Sequence, residues 1–170
     1  MRLAGSRVLL FGAGGAARAA AFALAQAGSI VCLSARRPER AHALARVVGG
    51  DVVPRGELRR EFFDAIVNCT PVGMHPRGGS PLSGEELNCR IVMDMVYRPR
   101  TTELLQCARR KGIETISGIE MFLAQGFAQY EIWTGERAPE AAMRRAITAA
   151  LAREEKSEGK RLRLAAKTKK

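Results

Sequence analysis

Val8-Leu9-Leu10-Phe11-Gly12-Ala13-Gly14-Gly15-Ala16-Ala17-Arg18 decides how the rest of the chain is read. Four apolar residues ending at a glycine read as a strand buried on both faces of a parallel sheet. Gly12, Gly14 and Ala17 then satisfy G-x-G-x-x-G/A, the strand-to-helix turn that takes the pyrophosphate of a dinucleotide. In that turn the first glycine permits the tight bend, the second admits phosphate oxygens to the backbone, and the small third residue lets helix and strand pack closely. The alanine-rich segment from Ala16 to about Ala27 is the expected helix, with Gly28 as its stop. Ile30-Val31-Cys32-Leu33 supplies the second strand.

The second strand runs into Ser34-Ala35-Arg36-Arg37-Pro38-Glu39-Arg40. An acidic residue about 20 positions past the glycine turn would accept hydrogen bonds from the ribose 2′-hydroxyl of NAD. Arg36 stands there instead, with Arg37 and Arg40 beside it, and guanidinium groups bind phosphate with forked, charge-assisted bonds. The cofactor predicted is therefore NADP. The alternative is a solvated basic turn.

Further along, a helix over Glu39–Val48, a short strand over Asp51–Val53 and a strand over Ala65–Asn68 follow in order. That strand enters Cys69-Thr70-Pro71-Val72-Gly73-Met74 and then a Gly/Pro/Ser-rich loop from His75 to Gly84. His75 in that loop reads as a solvent-facing side chain rather than an acid-base residue. Ile91–Tyr97 is predicted as a fifth strand, Thr101 or Thr102 as the cap of a helix to Lys111, and Glu114–Ile116 as a sixth strand. A helix from Gly118 carries Met121 and Gln125 on one face. A last helix begins near Pro139. The fold class is α/β, a Rossmann-like, doubly wound, mostly parallel sheet of about six strands with a helical carboxyl-terminal extension.

Composition narrows the function. A 170-residue chain with 46% hydrophobic residues can bury a core. No apolar run is long enough for a membrane span, so a cytoplasmic, membrane-free protein is expected. Four cysteines without C-x-x-C spacing and two histidines make no metal or disulfide set. Of the net charge of +11, residues 152–170 carry +5 and the remainder +6. The tail is expected to be disordered and to bind nucleic acid at most nonspecifically, because its Lys and Arg have no interleaved aromatics.

Five ordered segments across about 110 residues resemble the carboxyl-terminal half of the shikimate dehydrogenase family. They are the Gly12–Ala16 loop; Ala35-Arg36-Arg37-Pro38-Glu39-Arg40-Ala41, against the family's N-R-T-x-x-R-A; Asn68-Cys69-Thr70-Pro71-Val72-Gly73-Met74; Asp94-Met95-Val96-Tyr97; and Gly118 to Gln125. In the second segment both arginines are kept, while the family's Asn is Ala35 and its Thr is Arg37. By position, the resemblance implies Gly12, Ala13, Gly14, Gly15 and Ala16 at the pyrophosphate and Arg36 and Arg40 at the 2′-phosphate. It implies Thr70, Met95 and the Gly118 backbone at the nicotinamide, with Tyr97 and Gln125 reaching the substrate. It further implies hydride transfer between NADPH and the 3-keto group of 3-dehydroshikimate, yielding shikimate.

The family's catalytic Lys and Asp belong to an amino-terminal substrate domain, and neither Lys111 nor the five tail lysines match that Lys. No catalytic residue is assigned to this chain. The expected organisation is a cofactor domain over 1–117, helices over 118–151 that return to the substrate domain, and the basic tail over 152–170. The chain is expected to need that domain, in the same or another polypeptide, and to expose Phe122, Tyr130 and Trp133 for its docking or for self-association. A longer polypeptide, such as a bifunctional dehydroquinate dehydratase/shikimate dehydrogenase, and a truncated gene product are both consistent with this. Two alternatives stay open: a stand-alone NADP-binding regulatory module, and another NADP-dependent reductase of the methylene-tetrahydrofolate dehydrogenase type.

Overall fold

The computed structural model describes residues 1–76 and 78–168. Six strands form one sheet: β1 (Arg7–Phe11), β2 (Ile30–Ser34), β3 (Asp51–Val52), β4 (Phe63–Asn68), β5 (Cys89–Asp94) and β6 (Glu114–Ser117). Their spatial order is β3-β2-β1-β4-β5-β6, and every adjacent pair is parallel. The helices are α1 (Gly15–Gln26), α2 (Pro38–Val48), α3 (Glu103–Arg110), α4 (Gly118–Thr134) and α5 (Glu140–Thr168). The chain walks outward from β1 to β3, then returns past β1 to start the other half at β4. The ends of β1 and β4 therefore flank the point where strand order reverses, which is where open α/β sheets leave a crevice.

The apolar run in β1 divides by strand alternation. Val8 and Leu10 enter a cluster with Ala17 and Ala21 of α1 and with Leu44 of α2, while Leu9 and Phe11 enter another with Leu104 and Leu105 of α3. Burial on both faces is why the strand needs no polar positions. The α3 face is completed by Leu58, Leu82 and Leu87, side chains from the segments beside β4 and β5 rather than from a long helix.

Local signals set most element ends. Pro38 stands at the first turn of α2, and Gly49 closes it in the left-handed conformation. Thr102 caps α3 by accepting from the Leu105 amide, Ser117 caps α4 by accepting from Ile119, and Gly135 ends α4. Three expectations change. The fifth strand stops at Asp94, not Tyr97, because β6 offers no residue beyond Ser117 to pair with and the Val96 amide donates to the Asp94 side chain at 3.0 Å. The loop to Gly84 leads into a 3₁₀ turn, Gly84–Glu86, fixed by a reciprocal Ser83–Glu86 capping box. Finally, α5 runs to Thr168, through the segment expected to be disordered. That segment is proline-free and rich in Ala, Leu, Lys, Arg and Glu, and helix propensity outweighs its charge. Among the described residues, no helix is long and apolar enough to cross a membrane.

Candidate functional site

The sheet ladder continues one step past the strands at their carboxyl ends. The Gly12 amide donates to the Ser34 carbonyl at 2.8 Å, the Cys69 amide to Phe11 at 2.9 Å and the Met95 amide to Asn68 at 3.1 Å. These bonds carry the ends of β2, β1, β4 and β5 into one rim. Above the first three of them lies a cleft of about 1090 Å³, lined by Gly12, Ala13, Gly14, Arg36, Arg37, Arg40 and Thr70 among others.

The glycine turn is shaped for close approach. Gly12 sits at φ +120°, and a Cβ there would lie 3.0 Å from Thr70 Cγ2 and 3.3 Å from the Cys69 backbone. At Gly14 and Gly15 the Cβ position is open, with no heavy atom within 4 Å. Gly14 caps α1 without a side chain, and no acidic residue occupies the first turn. The amides of Gly15 and Ala16 thus begin a helix whose positive end is free to meet an anion. At the other end of the cleft, Arg36 and Arg37 end the β2–α2 turn and Arg40 lies in the first turn of α2. Among the described residues, none of these three guanidinium groups lies in an ion pair.

The remaining site residues gather next to this cleft, not in its lining. Met95 follows β5, and Gly118 opens α4 directly beneath it. A Cβ on Gly118 would stand 2.6 Å from the Met95 carbonyl oxygen and 2.7 Å from that of Val96. Gly118→Ala is therefore expected to push backbone against backbone and cost about 1–3 kcal/mol of stability, read as a lower urea midpoint with unchanged slope. Tyr97 stacks on Phe122 of α4, ring centroids 4.6 Å apart and planes 25° apart, while Gln125 is exposed on α4. His75 is exposed.

A buried hydrogen-bond network joins the two groups. Asn68 Oδ1 accepts from the Thr70 amide at 2.9 Å and from Thr70 Oγ1 at 2.7 Å, and Asn68 Nδ2 donates to Asp94 Oδ1 at 2.9 Å. Asp94 Oδ1 also accepts from the Val96 amide, and Oδ2 accepts from Thr102 Oγ1 at 2.6 Å. Burial pushes the Asp94 carboxyl above its ordinary value, against the bonds from Thr102, Val96 and Asn68. Cys69 also lines the cleft, but burial pushes its thiol to about 12, so it has no thiolate chemistry at neutral pH.

Sequence patterns located Asn68 and Asp94 without giving them a role, and Thr102 only as a cap. Arg55, Pro81 and His42 also line the cleft and were missed altogether. The Ser83-x-x-Glu86 spacing was a readable capping signal for the turn that holds Arg55.

Residues 118–148 match the family described as the Shikimate 5′-dehydrogenase C-terminal domain. A shikimate dehydrogenase (NADP(+)) of Halobacterium salinarum is 46% identical over 152 residues, covering 88% of this chain and 57% of that protein. The chain belongs to the shikimate dehydrogenase family, in its carboxyl-terminal part. It spans little more than half the length of the curated relatives it matches. Among solved structures, the shikimate 5-dehydrogenase of Thermus thermophilus in complex with NADP(H) and shikimate is 38% identical. Its TM-score is 0.79, and the match covers 87% of this chain and 56% of that one. A quinate dehydrogenase from Corynebacterium glutamicum in complex with NAD is similar at 31% identity and a TM-score of 0.77, over 85% of this chain and 55% of that one.

Proposed function

We propose that this chain is the NADP(H)-binding portion of a shikimate dehydrogenase. The observation that carries the reading is that one cleft is lined both by the Gly12–Gly14 turn and by an arginine group without carboxylate partners. In this reading, Gly12 to Ala16 take the pyrophosphate on backbone amides, and Arg36, Arg37 and Arg40 take the 2′-phosphate. Thr70, Met95 and the Gly118 backbone border the nicotinamide, their positions fixed through Asn68 and Asp94. NADPH, when bound, supplies the hydride for reduction of the 3-keto group of 3-dehydroshikimate. Tyr97 and Gln125 reach the substrate from this side of the cleft.

The partner is an amino-terminal substrate domain that brings the acid-base residues. Lys111 does not fill that role, since its Nζ donates to the Gly84 carbonyl at 2.7 Å. Ile132 and Trp133, 78% and 77% exposed on α4, form the apolar surface on which such a domain, or a second copy, would dock. The division into 1–117, 118–151 and a basic terminal segment, and a cytoplasmic location, belong to the same proposal.

Calorimetry on the 170-residue chain is expected to give tighter binding of NADPH than of NADH. Shikimate oxidation with NADP is expected to be absent for this chain alone, because among the described residues neither a Lys nor an Asp lines the cleft. It is expected to appear when a separately expressed amino-terminal domain of a relative is added. Equal affinities for the two dinucleotides would reject the 2′-phosphate assignment. Oxidation by the chain alone would reject the two-domain division of labour.

A further inference from the structure

One more arginine lines the cleft, and its environment is unlike that of Arg36 and Arg40. Arg55 stands in the 3₁₀ turn after β3. Its Nε donates to Glu86 Oε1 at 2.8 Å and its Nη2 to Glu86 Oε2 at 3.1 Å, while Nη2 also reaches the Pro81 carbonyl at 3.0 Å. Glu86 is itself buried, 6% exposed. Burial alone would push its carboxyl up, but the bonds from Arg55 and Ser83 outweigh it and hold the group below its ordinary value. The Arg55 guanidinium carbon lies 5.5 Å from the centroid of the Phe11 ring.

Two physical consequences follow from this geometry. The two-point bond to a buried carboxylate cancels most of the cation's charge, so Arg55 is a poor ligand for phosphate. The same bond fixes the guanidinium plane, and a fixed planar cation among Phe11, Pro54 and Pro81 is a surface for a flat aromatic ligand. Its distance from the basic turn is set by the sheet. β3 pairs with β2 in register Leu33↔Val52, and the Val53 amide donates to the Leu33 carbonyl at 2.9 Å. Arg36 and Arg55 thus follow neighbouring strand ends on one rim. In an adenosine 2′-phosphate, base and phosphate hang from the same ribose, and Arg36 and Arg55 line the same cleft.

We propose that Arg55, held by Glu86 and backed by Phe11, forms the wall against which the adenine of the dinucleotide stacks. This rests on the NADP reading above and deepens it. Arg55 sets adenine affinity without setting the choice between phosphorylated and unphosphorylated ribose.

The test is calorimetry with NADPH, NADH, adenosine 2′,5′-bisphosphate and nicotinamide mononucleotide on the wild-type chain, Arg55→Ala and Arg55→Lys. Arg55→Ala is expected to weaken all three adenosine ligands by a common factor of about tenfold, leaving the NADPH to NADH ratio unchanged and the mononucleotide unaffected. Arg55→Lys keeps a cation for Glu86 and is expected to melt above Arg55→Ala, yet not to recover that affinity. Unchanged binding in Arg55→Ala would overturn the inference while leaving the NADP reading intact. So would a loss confined to NADPH, or full recovery by lysine. A wild-type chain that binds none of the three adenosine ligands would overturn both.

Discussion

Asp94→Ala is expected to remove about 3–6 kcal/mol of folding stability, a large share of the total for a domain of this size. The carboxylate accepts three hydrogen bonds, from Asn68 Nδ2, the Val96 amide and Thr102 Oγ1. Asn68, Asp94 and Thr102 are all fully buried, so no bulk water reaches the donors left behind. Each orphaned donor costs about 1–3 kcal/mol. Asp94→Asn is expected to cost less, since Oδ1 survives and only the bond from Thr102 must be reversed. Urea unfolding at neutral pH measures both losses, and a change within 1 kcal/mol for the alanine variant would show the network to be dispensable.

The same residue predicts a pH dependence. Burial is the largest influence on Asp94 and raises its folded carboxyl above the ordinary 3.8. As pH falls, the folded state takes up this proton before the unfolded state does. The cost of burying the charge is thus present above the folded value and relieved as pH drops through it towards 3.8. Wild type is expected to gain stability relative to Asp94→Asn as pH is lowered from neutrality into that window. A difference between the two that stays constant with pH would contradict it.

The second large effect belongs to the basic turn. Charge-assisted bonds from arginine to phosphate contribute about 1.5–3 kcal/mol each. Removing both Arg36 and Arg40 is therefore expected to weaken NADPH by about a hundredfold or more, and Arg36→Ala alone by about tenfold or more. NADH has no 2′-phosphate and should lose little in either variant. Calorimetry with both dinucleotides reads the ratio directly, and parallel losses for NADPH and NADH would assign these residues to general electrostatic attraction instead. Raising ionic strength is a control, since a screened surface field fades with salt faster than a seated phosphate contact.

Some of this was legible from residue order. The β1–α1 turn could be read because its signal is local: a strand's apolar run, glycines where the backbone must come close, and alanines where a helix must pack. Arg36 and Arg40 were legible for the same reason, at a fixed distance from that turn. The end of β5 was not, because Ile91 to Tyr97 keeps strand character throughout and the strand ends where β6 ceases to offer a partner. The helical course of residues 152–168 was missed by weighing charge above propensity.

Residue order alone was enough for the parallel α/β fold, the glycine turn, the basic turn and the family's segments, since each signal lies in residues within a few positions of one another. It took the folded chain to reveal that Asn68, Asp94 and Thr102 form one network, that Gly118 must lack a side chain beneath Met95, and that Glu86 neutralises Arg55 beside Phe11. Those facts arise between segments far apart in the chain, where hydrogen-bond geometry and close packing, not local propensity, set which groups meet.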